Sequence, residues 1–308
     1  PPLRTAYVHK RGRWAVRAGE WSLFALARAF RAVTWPVPIW TLTGVLAPIG
    51  GWVALAVPGF RRRAERNLAH VWPGMEPRAR RRLVRRAGRE VLRLMVEYAH
   101  LDRVLRTAEI AVEGAEHLEA ARVRGRGIVL VTAHYGNWEA ARQATRGLGV
   151  ESGIFYRAFN NRYLDRSAVE LIGRVGRPVL HKGRQGMRAL LGAVAGGGTV
   201  MILVDQRITG APPLPFLGRP AETATAPAEI ARRSGAALLP VMARRDAGRR
   251  GFRVRFEAPV TGGSAEAMMA EVNARIGAWV EEVPEQWFWF HRRWRGGGGV
   301  EPGSPQRS

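Results

Sequence analysis

His134 and Glu139, in the stretch His134-Tyr135-Gly136-Asn137-Trp138-Glu139, are the residues whose types and spacing best suit acid–base chemistry. An imidazole titrates near neutral pH, and a nearby carboxylate can hold it in one tautomer and stabilise the imidazolium. Read this way, His134 is a general base oriented by Glu139. The bland alternative is a histidine ending a strand and a glutamate favoured by a helix dipole. A second polar cluster, Asp205-Gln206-Arg207, and a third, Arg157-Ala158-Phe159-Asn160-Asn161, complete the candidates. Arginines such as Arg157 and Arg207 suit bidentate contacts to phosphate. The expected set is therefore His134 and Glu139 for catalysis, with Arg157, Asn160, Asp205, Gln206 and Arg207 for substrate. No metal or cofactor is expected.

These residues need a scaffold that brings them together. Residues 128–133 form an apolar, β-branched run without charge, which reads as a buried parallel strand. Asn137 suits an N-cap, and 138–148 is rich in helix formers. His134 then lies at the carboxyl end of a strand and Glu139 in the first turn of the next helix. Asp205 leaves the apolar run 199–204 in the same way. Strand ends of one sheet lie side by side, so the two could share a pocket at the edge where α/β sheets bind ligands. Gly196-Gly197-Gly198 precedes its strand and so reads as a tight turn rather than a phosphate loop. Strands are also expected at 153–156, 238–243 and 252–257. Helices are expected over 162–173, 185–195, about 227–235 and 265–284. The segment 212–218 reads as an irregular apolar loop, suited to a lid or an acyl-chain wall as much as to a plain connection.

The chain has 49 Lys+Arg against 25 Asp+Glu, a net charge of +24, so it is expected to keep anionic company. Cysteine is absent, which excludes disulfides and thiolate metal sites. No helix-turn-helix, zinc-finger or RNP pattern stands out, and nucleic acid is not the expected partner. From Ala32 to Phe60 no residue is charged, and Trp21, Trp35, Trp40 and Trp52 lie in or near that stretch. Arginines flank it on both sides, as suits a membrane surface. Pro36, Pro38, Pro48, Pro58 and Gly50-Gly51 argue against one regular helix. The reading is a membrane anchor, either interfacial or a broken hairpin. A cleaved signal peptide is the rival, with an apolar part too long for that role. Residues 61–103 look helical, with arginines opposite an apolar stripe that runs from Leu83 to Tyr98. The divisions are thus 1–60 membrane-associated, 61–108 basic and helical, 109–295 α/β, and 296–308 a disordered tail.

Four blocks together resemble the lipid A biosynthesis acyltransferase family, the late lauroyl or myristoyl acyltransferases of Gram-negative bacteria. They are RRRAERNL at 61–68 with Val71-Trp72-Pro73, HYGNWE at 134–139, DQR at 205–207 leading to PFLG at 215–218, and PEQWFWFHRRW at 284–294. The resemblance spans roughly residues 15–295. One departure is Arg157-Ala158, where family members often read Arg-Pro. The resemblance implies a glycerolipid-acyltransferase-like α/β fold, with helices around a mostly parallel sheet. It also implies an inner-membrane enzyme facing the cytoplasm. The donor would be an acyl-carrier-protein thioester and the acceptor a hydroxyacyl chain of a phosphorylated glucosamine disaccharide. With no cysteine and no serine in a nucleophile-elbow context, direct transfer is favoured over an acyl-enzyme. An acceptor such as a phosphatidylinositol mannoside or lysophospholipid is the second enzymatic reading, and a non-catalytic basic membrane-binding protein the third.

Overall fold

A computed structural model describes residues 14–246 and 250–294. The chain opens with helices: α1 (Trp14–Thr34), α2 (Ile39–Ala56), α3 (Pro58–Val71), α4 (Pro77–Ala99) and α5 (Leu101–Thr107). Strands and helices then alternate as β1 (Glu109–Glu113), α6 (Ala115–Val123), β2 (Ile128–Thr132), α7 (Trp138–Gly147), β3 (Ser152–Tyr156), α8 (Arg162–Val175), β4 (Val179–His181), α9 (Arg184–Ala195) and β5 (Thr199–Leu203). A hairpin follows, β6 (Pro213–Phe216) and β7 (Arg219–Glu222), then α10 (Ala226–Ser234), β8 (Ala237–Arg245), β9 (Gly251–Phe256) and α11 (Ala265–Glu282). A short 3₁₀ turn, Pro284–Gln286, leads into the last described segment.

The main sheet has seven strands in the order β1-β9-β8-β2-β5-β3-β4. Its pairs are parallel except β8 with β9. β2 sits in the middle and is buried along its whole length, which is why it reads as unbroken Ile-Val-Leu-Val-Thr. Helices cover both faces, as a parallel sheet requires. Val129 and Val131 point into the cluster beneath α10 and α11, while Ile128 and Leu130 point into the one beneath α6 and α7.

The uncharged N-terminal stretch is broken once and then regular. α1 ends before Pro36, but α2 runs straight through Pro48 to Ala56. Packing explains the tolerance. Gly50 and Gly51 of α2 lie directly against α4, and a Cβ on Gly50 or Gly88 would run into the opposite backbone. Such close approach of small residues lets neighbouring packing offset what proline costs a helix. By length and composition α2 is the one described helix that could cross a membrane, with 39% of its 18 residues buried. Val45, Ile49, Trp52 and Val53 of α2 are exposed.

The segment 212–218, expected to be an irregular loop, is instead the first arm of the β6–β7 hairpin, with Leu214 opposite Ala221. Leu217 and Gly218, both at positive φ, form its two-residue turn. Pro213 and Pro215 hide this strand from sequence reading. Both point outward, where a missing N–H costs little, while Leu214 and Phe216 point inward. Residues 296–308, expected to be a tail, lie outside the described residues.

Candidate active site

Strand register brings the site together. β2 and β5 are neighbours, with Thr132 opposite Leu203. His134 and Asp205 each lie two residues beyond that pair, so they leave the sheet at the same level. His134 Nδ1 lies 2.7 Å from Asp205 Oδ1, and the His134 backbone N–H donates to Oδ2 at 2.9 Å. Asp205 is fully buried, whereas the His134 side chain keeps 21% of its exposure. Trp287 Nε1 donates to Oδ2 at 2.8 Å, so both carboxylate oxygens have partners. Burial alone would raise the Asp205 pKa. The charge and hydrogen bonds of His134, with a further contribution from His291, hold it well below the usual carboxylate range. Asp205 is thus an anion that fixes the ring through Nδ1 and leaves Nε2 on the side turned from it. Gln206 Nε2 lies 3.4 Å from that nitrogen.

Glu139 does something else. It is fully buried, and its carboxylate accepts from Arg142 at 2.6 Å and from the Tyr98 hydroxyl at 3.0 Å. Arg142, equally buried, also donates to the carbonyls of Ser152, Ile172 and Gly176. The expected Glu139–His134 pairing is therefore replaced by Asp205–His134. The helix explains it: Glu139 sits in the first turn of α7, one turn before Arg142, and an i,i+3 pair meets on one face. That face turns toward α8 and β3. Asn137 caps α7, accepting from the Glu139 N–H, and its own amide donates to Glu97 of α4.

The C-terminal segment closes the site. Phe288 N donates to His134 O and Gly136 N to Gln286 O, while Tyr135 bridges Trp287 in antiparallel fashion. Gly136 has φ +57, and a Cβ there would collide with the Ala243 carbonyl, so the turn needs glycine. The imidazole of His134 meets Trp138 edge-on at 5.2 Å and His291 at 4.7 Å. Behind it Phe216 stacks on Trp294 and meets Trp287, which in turn meets Trp289 and Trp294 edge-on. Arg293, fully buried, donates to Glu222 O and Thr223 Oγ1 and lies over the Phe216 ring. Burial lowers its pKa to about 10. Sequence reading assigned no role to Trp138, Trp287, His291 or Arg293. Their signal was the dense aromatic and basic run 287–294, which composition alone cannot distinguish from core or a membrane-facing patch.

The remaining candidates stay at the same edge but engage elsewhere. Arg157, exposed beyond β3, donates to Asn160 Oδ1 at 3.3 Å. Arg207 pairs with Glu222 at 2.7 Å and donates to Thr209, so its charge is largely compensated. His134, Asp205 and His291 offer ligand atoms within 4.8 Å of one another. A divalent ion there would have to displace the Nδ1–Asp205 hydrogen bond, in a neighbourhood made positive by Arg63 and Arg293. The arrangement suits proton transfer better than metal binding.

The profile of the bacterial lipid A biosynthesis acyltransferase family matches residues 10–296. The chain is 28% identical to the lipid A biosynthesis lauroyltransferase of Escherichia coli (strain K12) over 314 residues, covering 96% of this chain and 95% of that protein. It is 27% identical to the lipid A biosynthesis palmitoleoyltransferase of the same strain, covering 79% and 82%. It is also 25% identical to a phosphatidylinositol mannoside acyltransferase of Mycobacterium tuberculosis (strain CDC 1551 / Oshkosh), covering 67% and 66%.

Proposed function

Because the chain belongs to the bacterial lipid A biosynthesis acyltransferase family, we propose that it moves a fatty acyl chain from an acyl-carrier-protein thioester to a hydroxyl on an acyl chain of a phosphorylated lipid A precursor. The observation that carries the mechanism is the 2.7 Å contact between His134 Nδ1 and the buried Asp205, which leaves Nε2, with only the Gln206 amide near it, to act as a base. His134 Nε2 takes the proton of the acceptor hydroxyl, and the oxygen attacks the thioester carbon. The tetrahedral intermediate collapses, the C–S bond breaks, and the thiolate takes the proton back from the imidazolium. Asp205 stabilises the imidazolium while it lasts, and Trp287 keeps Asp205 in place. Glu139 supports the turn that carries His134 rather than touching it.

Charge and apolar surface support the rest. A net +24 speeds the approach of an acidic carrier protein and of phosphorylated lipid. Trp52, Ile49 and Val45 are exposed on α2, and the Arg85 guanidinium of α4 sits 5.8 Å from the centre of the Trp52 ring. Such a face suits an anionic bilayer surface on the cytoplasmic side, where acyl carrier protein would be met. Trp52→Glu with Ile49→Glu should release the protein from anionic vesicles at a salt concentration that leaves wild type bound. Equal salt sensitivity of the two proteins in sedimentation would remove α2 from the membrane contact.

The decisive test is transfer from acyl carrier protein to a purified lipid A precursor, read by mass spectrometry of the product. No mass increment on that acceptor would overturn the reading. The similarity to the mycobacterial enzyme favours a second acceptor, a phosphatidylinositol mannoside, and competition between the two acceptors in one reaction decides between them.

A further inference from the structure

His291 lies against His134 and is not used by the mechanism above. Its ring lies 4.7 Å from that of His134, and its ligand atom falls within 4.8 Å of those of His134 and Asp205. Its backbone is held with care. Asn67 of α3 donates to the carbonyls of both Trp289 and His291, at 2.7 and 2.8 Å. The ring packs on Phe288 at 4.3 Å. Yet Nε2 is buried with no hydrogen-bond partner among the described residues. A phenylalanine could supply the same ring contacts without burying a polar atom, and phenylalanine is used at 288 and 290 in the same segment. A polar ring that gains nothing from its own protein is suited to a group that arrives with the substrate.

We propose that His291 is a second catalytic imidazole, whose ring N–H donates a hydrogen bond to the thioester carbonyl oxygen as that oxygen gains negative charge. The role rests on the reading of His134 as the base. No proton moves through His291: the acceptor proton goes to His134 and then to the departing sulfur, while His291 only solvates the oxyanion. Geometry divides the labour, because among the described residues Asp205 bonds His134 and Trp287 and not the His291 ring. Burial, with the positive charges of His134, Arg293 and Arg63, lowers the His291 pKa to about 3, against an opposing pull from Asp205. The ring therefore stays neutral at working pH. A neutral donor set beforehand in a dry site is how oxyanions are stabilised without reorganisation.

The test compares His291→Phe and His291→Gln in the purified full-length protein, with kcat, KM and Tm measured for each. His291→Phe should lose ~10²–10³-fold in kcat with KM changed by less than about threefold, the size expected for one oxyanion donor. His291→Gln, which restores an N–H donor, should recover about tenfold of that loss. The Tm of His291→Phe should equal or exceed that of wild type, since no buried polar atom is left unpaired. A His291→Phe enzyme within about threefold of wild-type kcat overturns the proposal. So does an equal loss in both variants accompanied by a lowered Tm, the mark of a packing residue. The two possible failures separate cleanly: wild type without acyl transfer removes the whole reading, whereas an active wild type with an equally active His291→Phe removes His291 alone.

Discussion

Two fully buried carboxylates stand on either side of the turn 134–139, and they serve different ends. Asp205 faces an imidazole that is one-fifth exposed, a tryptophan N–H and a backbone N–H. Glu139 faces a guanidinium with no exposure and a tyrosine hydroxyl whose pKa, through burial and then Glu139 itself, is raised well above its ordinary value. The first partner can change charge during a reaction, and the second cannot. A buried acid beside a titratable, solvent-reached base is equipped for proton transfer, while one beside a permanent cation is a fixed joint. Asp205 bonds the turn from 71 residues away while Glu139, at its end, turns to Arg142, so proximity to His134 in sequence does not decide which acid is which.

The sharpest way to break this contrast is at the base. His134→Ala should cost ~10²–10⁴-fold in turnover, at the upper end if Nε2 is the only base, with folding intact. A folded variant with near-normal turnover would end the assignment. Asp205→Asn comes next, with ~10²–10³-fold lost from kcat, because an amide cannot stabilise the imidazolium. Its circular dichroism should match wild type, and retention of full activity would move the dyad elsewhere. Glu139→Gln tests the other acid and should act mainly on stability. It leaves the buried Arg142 without its anion, a loss of about 3 kcal/mol that the three carbonyls on Arg142 soften. Chemical denaturation reads that loss, and turnover per folded molecule should stay within about tenfold of wild type. If Glu139→Gln instead lost as much turnover as Asp205→Asn without losing stability, the roles drawn here would be reversed.

The smallest effect concerns pH. The folded-state pKa of His291 is depressed to about 3, whereas an unfolded histidine titrates near 6.5. Below that value the unfolded chain takes a proton that the folded protein refuses, so stability falls as pH falls. Between pH 7 and 5 this ring should cost the wild type about 1–2 kcal/mol. His291→Phe lacks the penalty, and its Tm should drop less over that interval. Identical Tm changes in the two proteins would show that the ring is not held neutral by burial. His70 and His100, whose pKa values are also lowered by burial, are common to both and cancel in the comparison.

Much of the scaffold was legible in the residues themselves. Uncharged, largely β-branched runs at β2 and β5 announce buried parallel strands, because both faces of such a strand must be apolar. Asn137 announces the start of α7, because capping is local chemistry between a side chain and an N–H two residues on. The placing of His134 and Asp205 at strand exits follows from those runs. Their direct contact does not, since it depends on β2 lying beside β5 in a register that pairs Thr132 with Leu203. The β6–β7 hairpin was hidden by its prolines, whose harmlessness depends on which side of the strand faces solvent. The partner of Glu139 was likewise undecidable from spacing, because HxxxxE is compatible with a side chain turned to the ring or to Arg142. Local periodicity and capping are set by a few neighbouring residues and can be read along the chain. Which acid meets His134, and that His291 comes to lie against it from 157 residues away, are matters of long-range packing, and only the folded structure decides them.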